Sequence, residues 1–301
     1  MIYDCAIIGG GPAGLNAALV LGRARRTVAL VDNNQPRNAV THASHGFLTR
    51  DGVTPAEFRR IAYEEVLHYP TVEHHPVTVT AVHKHAEGFE IEYGNDQRIR
   101  SKKLLVATGL QEILPDIPGV KEHYGKSLFQ CPYCDGWELR DQPLIVVSEH
   151  PRVFHIAKLL YQWSHDLVIC TNGQSIMSDE EKEVLTSRNI IVTEQQVTAF
   201  HGVNGRLQEV EFSDGTRMAR TGGFITPQWT SPHATLCEGL GYEPTELGGI
   251  SVDGMGKSTT VDGLFAAGEA TSGGSTQLII AASAGSMAAI SINTELMEED
   301  F

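Results

Sequence analysis

Apolar and polar positions along the chain fall into short buried strands that alternate with helical stretches. Tyr3–Ile8 is an apolar, β-branched run of the length expected for a buried parallel strand. Gly9, Gly10, Gly11, Pro12, Ala13 and Gly14 follow at once, then the helical run Leu15–Arg23 and a second strand, Thr27–Val31, ending in Asp32. Lys103–Val106 is another strand, running into Ala107-Thr108-Gly109, and Leu264-Phe-Ala-Ala runs the same way into Gly268-Glu269. A small-residue helix starts at Leu278, just after Thr276-Gln277. In the middle of the chain Pro143–Ser148 reads as a strand, about Arg152–Trp163 as a helix, and Asp166–Cys170 as a strand. Strands alternating with helices predict an α/β fold with parallel sheets.

At 301 residues the chain has room for two domains or one large α/β unit. Its 23 Lys and Arg against 37 Asp and Glu give a net charge of −14, which repels phosphate backbones and anionic lipid, so nucleic acid is not an expected partner. No apolar run approaches the roughly 20 residues of a membrane helix, so no membrane partner is expected either. The apolar N-terminus lacks a basic start and is broken by glycines, so it is read as structure and not as a signal peptide. A cytoplasmic location is the expectation. Five scattered cysteines do not make a secreted disulfide framework, and only Cys131 and Cys134 are close enough to share chemistry.

Each glycine of the first turn has a physical role in a dinucleotide site. Gly9 permits the sharp turn, Gly11 lets backbone N–H groups approach a pyrophosphate, and Gly14 lets the helix sit close to the strand. Asp32, about 20 residues on, can accept hydrogen bonds from an adenosine ribose. An ordinary βαβ turn is the structural alternative.

Cys131-Pro-Tyr-Cys134-Asp135-Gly136 places two thiols three positions apart at a helix start, where they can close a disulfide and where the helix dipole favours thiolate. A zinc half-site would use the same spacing but needs four ligands, and no second such group is present. No metal is expected. Asp135, beside two thiols, suits the proton transfers of thiol–disulfide exchange, with a helix-turn carboxylate as the structural alternative. Tyr133, Trp137, Phe47 and Leu48 could line an apolar small-molecule pocket, although aromatics at such positions often simply pack.

The set Gly9/Gly11/Gly14, Ala107-Thr108-Gly109 and Gly268-Glu269 resembles the three FAD signatures of two-dinucleotide-domain flavoproteins. With CxxCDG and a central α/β unit between the flavin segments, the chain resembles the low-molecular-weight thioredoxin reductases. That resemblance implies a discontinuous FAD domain, 1–114 and 233–301, around an inserted redox domain at 115–232. It implies FAD held by Gly9, Gly11, Pro12, Ala13, Gly14, Asp32, Asn38, Thr108, Gly109, Gly268, Glu269, Thr276 and Gln277. Glu269 stands where the family usually has Asp. Cys134 would face the flavin, Cys131 would exchange with the substrate's sulfur, and Asp135 would be the acid/base. His45 would lie near the flavin, and a homodimer is implied.

In the reductases the inserted domain carries a glycine-rich turn and an arginine group for NADPH. Here the turn reads Ser148-Glu149-His150-Pro151-Arg152 and the later loop Thr171-Asn172-Gly173-Gln174-Ser175. Side chains replace bare backbone, and Glu149 adds negative charge, so NADPH binding should be poor. CPYCDGWE, the Ser44–Gly52 loop and Cys170-Thr-Asn-Gly173 look like the gliotoxin- and holomycin-type dithiol oxidases, which oxidise a small dithiol and pass electrons through FAD to O2. A reductase fed by a ferredoxin-type partner, an NAD(P)H-dependent thioredoxin reductase with an altered pocket, and a flavin-binding sensor without turnover are the alternatives. The substrate would be a small dithiol or a thioredoxin-like protein.

Overall fold

The computed structural model describes residues 1–301, which divide into two compact units. The first comprises 1–39, 46–112 and 229–301. Its N-terminal part runs β1 (Ile2–Ile8), α1 (Pro12–Arg23), β2 (Val28–Val31), α2 (Pro55–Leu67), β3 (Val72–His75), β4 (Val79–His85), β5 (Gly88–Tyr93) and β6 (Gln97–Val106). These strands lie in the order β3-β2-β1-β6-β5-β4, and the strand Leu264–Ala266 also pairs with β6. Pairing is parallel through β3, β2, β1, β6 and Leu264–Ala266, and antiparallel in the β4-β5-β6 meander. Ile7, Leu30 and Leu105 are fully buried, as strands covered on both faces require.

The helix Leu278–Asp300 corrects one sequence expectation. It runs 23 residues and is, by length and composition, apolar enough to cross a membrane. Its Ala281, Ala288, Ala289, Ile292 and Leu296 share a core with Ala17, Ala18 and Leu21 of α1. Small residues permit this close approach: a Cβ on Gly285 would stand 2.0 Å from the Ala13 carbonyl oxygen. Ser, Ala and Gly positions break up the longer aliphatic side chains, so the run does not stand out when read residue by residue.

The second unit comprises 113–228 with the short loop 40–45. That loop, assigned above to the first part of the flavin domain, groups here because Val40 seats its carbonyl against Gly125, where a Cβ would come within 2.5 Å. The five-stranded sheet has the order Ile191–Thr193, Leu167–Cys170, Leu144–Val147, Gly222–Ile225, Leu128–Phe129, all parallel. A three-stranded antiparallel sheet, Val197–Ala219, shares one of its two cores. The helix expected over 152–163 spans only Val153–Leu160. Beyond it Gln162 and Trp163 donate three residues back, tightening the chain out of α geometry.

Candidate functional site

A cleft of about 740 Å³ opens in the first unit where β1, β2 and β6 end, a size suited to a cofactor. Gly9, Gly11, Pro12, Ala13, Asp32, Asn38, Thr108, Gly109, Gly268, Glu269 and Thr276 line it. Gly14 and Gln277 do not. Gly14 lies behind the turn, where a Cβ would strike the Gly9 carbonyl at 1.9 Å, and Gln277 is the N-cap of the Leu278–Asp300 helix.

The lining fits a dinucleotide. Gly11 is the N-cap of α1, no side chain caps the helix, and its first turn holds no acid, so first-turn N–H groups are available to an anion. A Cβ added to Gly11 would meet no atom within 4 Å, which leaves open space against bare backbone. Thr108 Oγ1 and Thr276 Oγ1 are buried without a hydrogen-bond partner, and both residues face the cleft. Buried hydroxyls without partners are costly in a finished structure and natural in a site that receives a polar ligand.

Asp32 is occupied by the protein itself. Its Oδ1 accepts from Gly10 N–H at 2.9 Å, and its Oδ2 accepts from Arg59 Nη2 at 2.8 Å, the Tyr63 hydroxyl at 2.9 Å and Asn34 N–H at 3.1 Å. Four donors match the acceptor sites of a carboxylate. Burial pushes its pKa up, but the Arg59, Gly10 and Tyr63 hydrogen bonds outweigh that and hold it below the usual range. Asp32 thus braces the glycine turn, a use the ribose expectation did not anticipate. Gly10 is tied into the same brace, since a Cβ there would lie 2.1 Å from the Tyr63 oxygen. Gly10, Arg59 and Tyr63 escape sequence reading because Gly10 is a variable position of the glycine motif and the other two lie on α2, far along the chain.

Glu269 is engaged as well. Its Oε1 accepts from Arg37 Nη2 at 2.5 Å and from Thr276 N–H at 3.0 Å. Arg37 Nη1 also donates to Glu112 Oε1 at 2.8 Å, and its guanidinium lies 5.2 Å from the centre of the Trp229 ring. The sequence motifs mark neither Arg37 nor Glu112.

In the second unit Cys131 and Cys134 form a disulfide with a Cα–Cα separation of 5.3 Å. Each sulfur is bonded to the other, the pairing that thiol–disulfide exchange uses. Cys131 caps a helix of only one turn, Pro132–Asp135, so the dipole expected at these thiols is that of a single turn. Burial, with Glu138 adding to it, pushes Asp135 up to about 7, within reach of both protonation states at neutral pH. His45 Nε2 lies 3.6 Å from Glu138 Oε1, so His45 joins this cluster through Glu138. Gly136 is required by space: a Cβ would stand 2.5 Å from the Pro132 oxygen and 2.8 Å from the Trp163 ring.

Tyr133, between the two cysteines in the sequence, and Trp137, three residues beyond them, are each 64% exposed, whereas Phe47 packs edge-on against Phe58 and Leu48 is exposed in the first unit. Cys5, Cys170 and Cys237 are buried and free, and burial raises their thiol pKa values, Cys170 to about 11, so they stay protonated.

The second βαβ turn carries no glycine cradle. Glu149, just beyond the Leu144–Val147 strand, accepts at 2.6 Å from Asn172 Nδ2, just beyond Leu167–Cys170. Asn172 Oδ1 accepts from Val197 N–H. Side chains therefore bridge the carboxyl ends of two adjacent strands, where a nucleotide would need bare backbone.

The profile of the family described as pyridine nucleotide-disulphide oxidoreductase matches residues 3–285. Thioredoxin reductase tcpT of Claviceps purpurea is 30% identical over 279 residues, 89% of this chain and 86% of that protein. TrxB from Bacillus anthracis superposes with a TM-score of 0.94 at 48% identity, covering 99% of this chain and 100% of that one. HlmI superposes with a TM-score of 0.93 at 37% identity, covering 99% and 94%. With a dinucleotide-shaped cleft and a CxxC disulfide in hand, the chain belongs to the pyridine nucleotide-disulphide oxidoreductase family, as a flavin-linked thiol–disulfide oxidoreductase.

Proposed function

We propose that this protein is an FAD-dependent oxidase of small dithiols that works without efficient use of NADPH. The observation that carries this reading is the Glu149–Asn172 bridge, which puts a carboxylate and an amide where the second dinucleotide would bring its phosphates. The likeness of CPYCDGWE and the Ser44–Gly52 loop to dithiol oxidases supports the same assignment.

A substrate thiolate would attack Cys131 and release Cys134 as thiolate, and the substrate's second thiol would then displace Cys131. The substrate loses two electrons and two protons as its disulfide closes, and the Cys131–Cys134 pair gains them as two thiols. Asp135, next to Cys134 in the sequence and raised to about 7, would take and return the protons. Bound FAD would supply the two-electron acceptor for the reduced pair and pass the electrons to O2 as hydrogen peroxide. Gly9, Gly11, Ala13, Thr108, Glu269 and Thr276 would hold it. Tyr133 and Trp137 offer exposed aromatic surface beside the disulfide to an apolar substrate.

The likeness to a protein named thioredoxin reductase favours a second reading, in which a thioredoxin-like protein is the substrate and NADPH or a ferredoxin-type partner the donor. Anaerobic titration of the FAD-loaded protein separates the two. The oxidase should be bleached by a small dithiol and not by millimolar NADPH or NADH, and should form peroxide once air is admitted. Rapid bleaching by NADPH would overturn this assignment. We also infer a homodimer, with Ile280, Met287 and Ile290 exposed on the Leu278–Asp300 helix, testable by light scattering.

A further inference from the structure

Arg37 connects elements that leave the first sheet on opposite sides of β1. It follows β2, whereas its partners Glu112 and Glu269 follow β6 and the Leu264–Ala266 strand. In the sheet β1 lies between β2 and β6, and Leu264–Ala266 pairs with β6, so the guanidinium bridges across the turn Gly9–Gly14 in which β1 ends. All three residues line the cleft.

The bridge is built to hold. Each carboxylate side chain is 10% exposed and Arg37 24%, the two ion pairs measure 2.8 and 2.5 Å, and Trp229 covers the guanidinium. Charge-assisted pairs of this kind, partly shielded from water, are stronger than surface ones. Glu269 is fixed further by Thr276 N–H.

The charges do not favour attraction of a diphosphate. One guanidinium and two carboxylates sum to 1 − 2 = −1, and the Arg59–Asp32 pair beside the glycine turn adds nothing. Attraction is left to the N-terminus of α1, and the triad has a mechanical part. We propose that Arg37 is a clasp across the dinucleotide cleft, which must let go of Glu112 or Glu269 before FAD can pass in or out. This rests on the assignment of the cleft to FAD.

A gate slows passage in both directions, because only the open fraction of molecules exchanges ligand. A simple ligand contact slows release alone. The full-length protein, stripped of flavin and then reloaded, is followed by flavin fluorescence for FAD uptake and FAD release in wild type, Arg37→Met, Arg37→Lys and Glu112→Gln. Uptake and release should both quicken, roughly tenfold for Arg37→Met and less for the other two. High salt should quicken both rates in wild type and have little effect in Arg37→Met.

Faster release with unchanged or slower uptake would make Arg37 an ordinary FAD contact and overturn the clasp, as would wild-type rates in Arg37→Met. Circular dichroism checks that each variant is folded. If Arg37→Met does not fold, Glu112→Gln decides, since it removes one jaw and keeps the guanidinium. A wild-type protein that takes up no FAD would overturn both the clasp and the assignment of the cleft, whereas FAD uptake with unaltered variant rates overturns the clasp alone.

Discussion

Arg59 Nη2 lies 2.8 Å from Asp32 Oδ2 beside the glycine turn, with both side chains about one-tenth exposed. Removing the charge of one partner of such a pair leaves the other buried and uncompensated, at a cost of about 3 kcal/mol. Asp32→Asn should lose roughly that much stability in urea unfolding at pH 7, with weaker FAD binding, because an amide nitrogen would replace the Oδ2 that accepts from Arg59, Tyr63 and Asn34 and the brace on the glycine turn would slacken. The sign with pH is fixed by the lowered pKa. The stabilisation is present above the ordinary value of 3.8 and is lost as pH falls through the lower folded value. The gap between wild type and Asp32→Asn should therefore close in strong acid. A gap that persists there would assign the loss to shape and not to charge.

Asp135 behaves oppositely. Its pKa is raised to about 7, so the unfolded chain ionises first as pH rises above 3.8, and folding stability falls until about pH 7 and is then level. Asp135→Asn should be more stable than wild type at pH 8 and indistinguishable from it below pH 4. In turnover with a dithiol, the same change should cost roughly 10²–10³-fold and erase the pH dependence near neutrality. Glu138→Gln should move that midpoint down, because Glu138 adds to the upward push. An unmoved midpoint would show that burial alone sets it.

Gly136 separates two constraints at the redox turn. An alanine Cβ would meet both the Pro132 oxygen and the Trp163 ring, so Gly136→Ala should displace Trp163 and cost about 1–3 kcal/mol. Indole fluorescence should shift in the folded variant. An unchanged emission spectrum and unfolding midpoint would mean that the turn adapts freely.

What could be read from the sequence depended on how local each constraint is. Gly9, Gly11 and the strand before them are contiguous, and their spacing mirrors a βαβ turn, so the cleft was legible from a dozen residues. Cys131 and Cys134 were legible for the same reason. Arg59 and Asp32 are 27 residues apart, and Arg37 and Glu269 are 232 apart, so no periodicity links either pair. The roles of Asp32 and Glu269 within the protein therefore appear only when the fold brings their cations to them. The helix from Leu278 is legible in the sequence, but its packing on α1 is not, because its partners Ala17, Ala18 and Leu21 come from the other end of the chain.

Two glycines of one turn should respond in opposite ways to the same methyl group. Gly9 has φ of +114°, and its Cβ would stand 2.2 Å from the Ala107 oxygen, so both conformation and space forbid a side chain. Gly9→Ala should fail to fold or lose several kcal/mol whether or not flavin is present. Gly11 has φ of −81°, open to any residue, and a methyl there meets nothing of the protein. Gly11→Ala stripped of flavin should therefore keep wild-type stability to within about 0.5 kcal/mol. Its methyl would occupy the space through which a pyrophosphate reaches the N–H groups of α1, so FAD affinity should fall by roughly tenfold or more. Thermal melts with and without added FAD measure both quantities, since a ligand that binds only the folded state raises the midpoint in proportion to its affinity. If Gly11→Ala is destabilised without flavin, or keeps full FAD affinity, the open space beside Gly11 is not where the diphosphate lies.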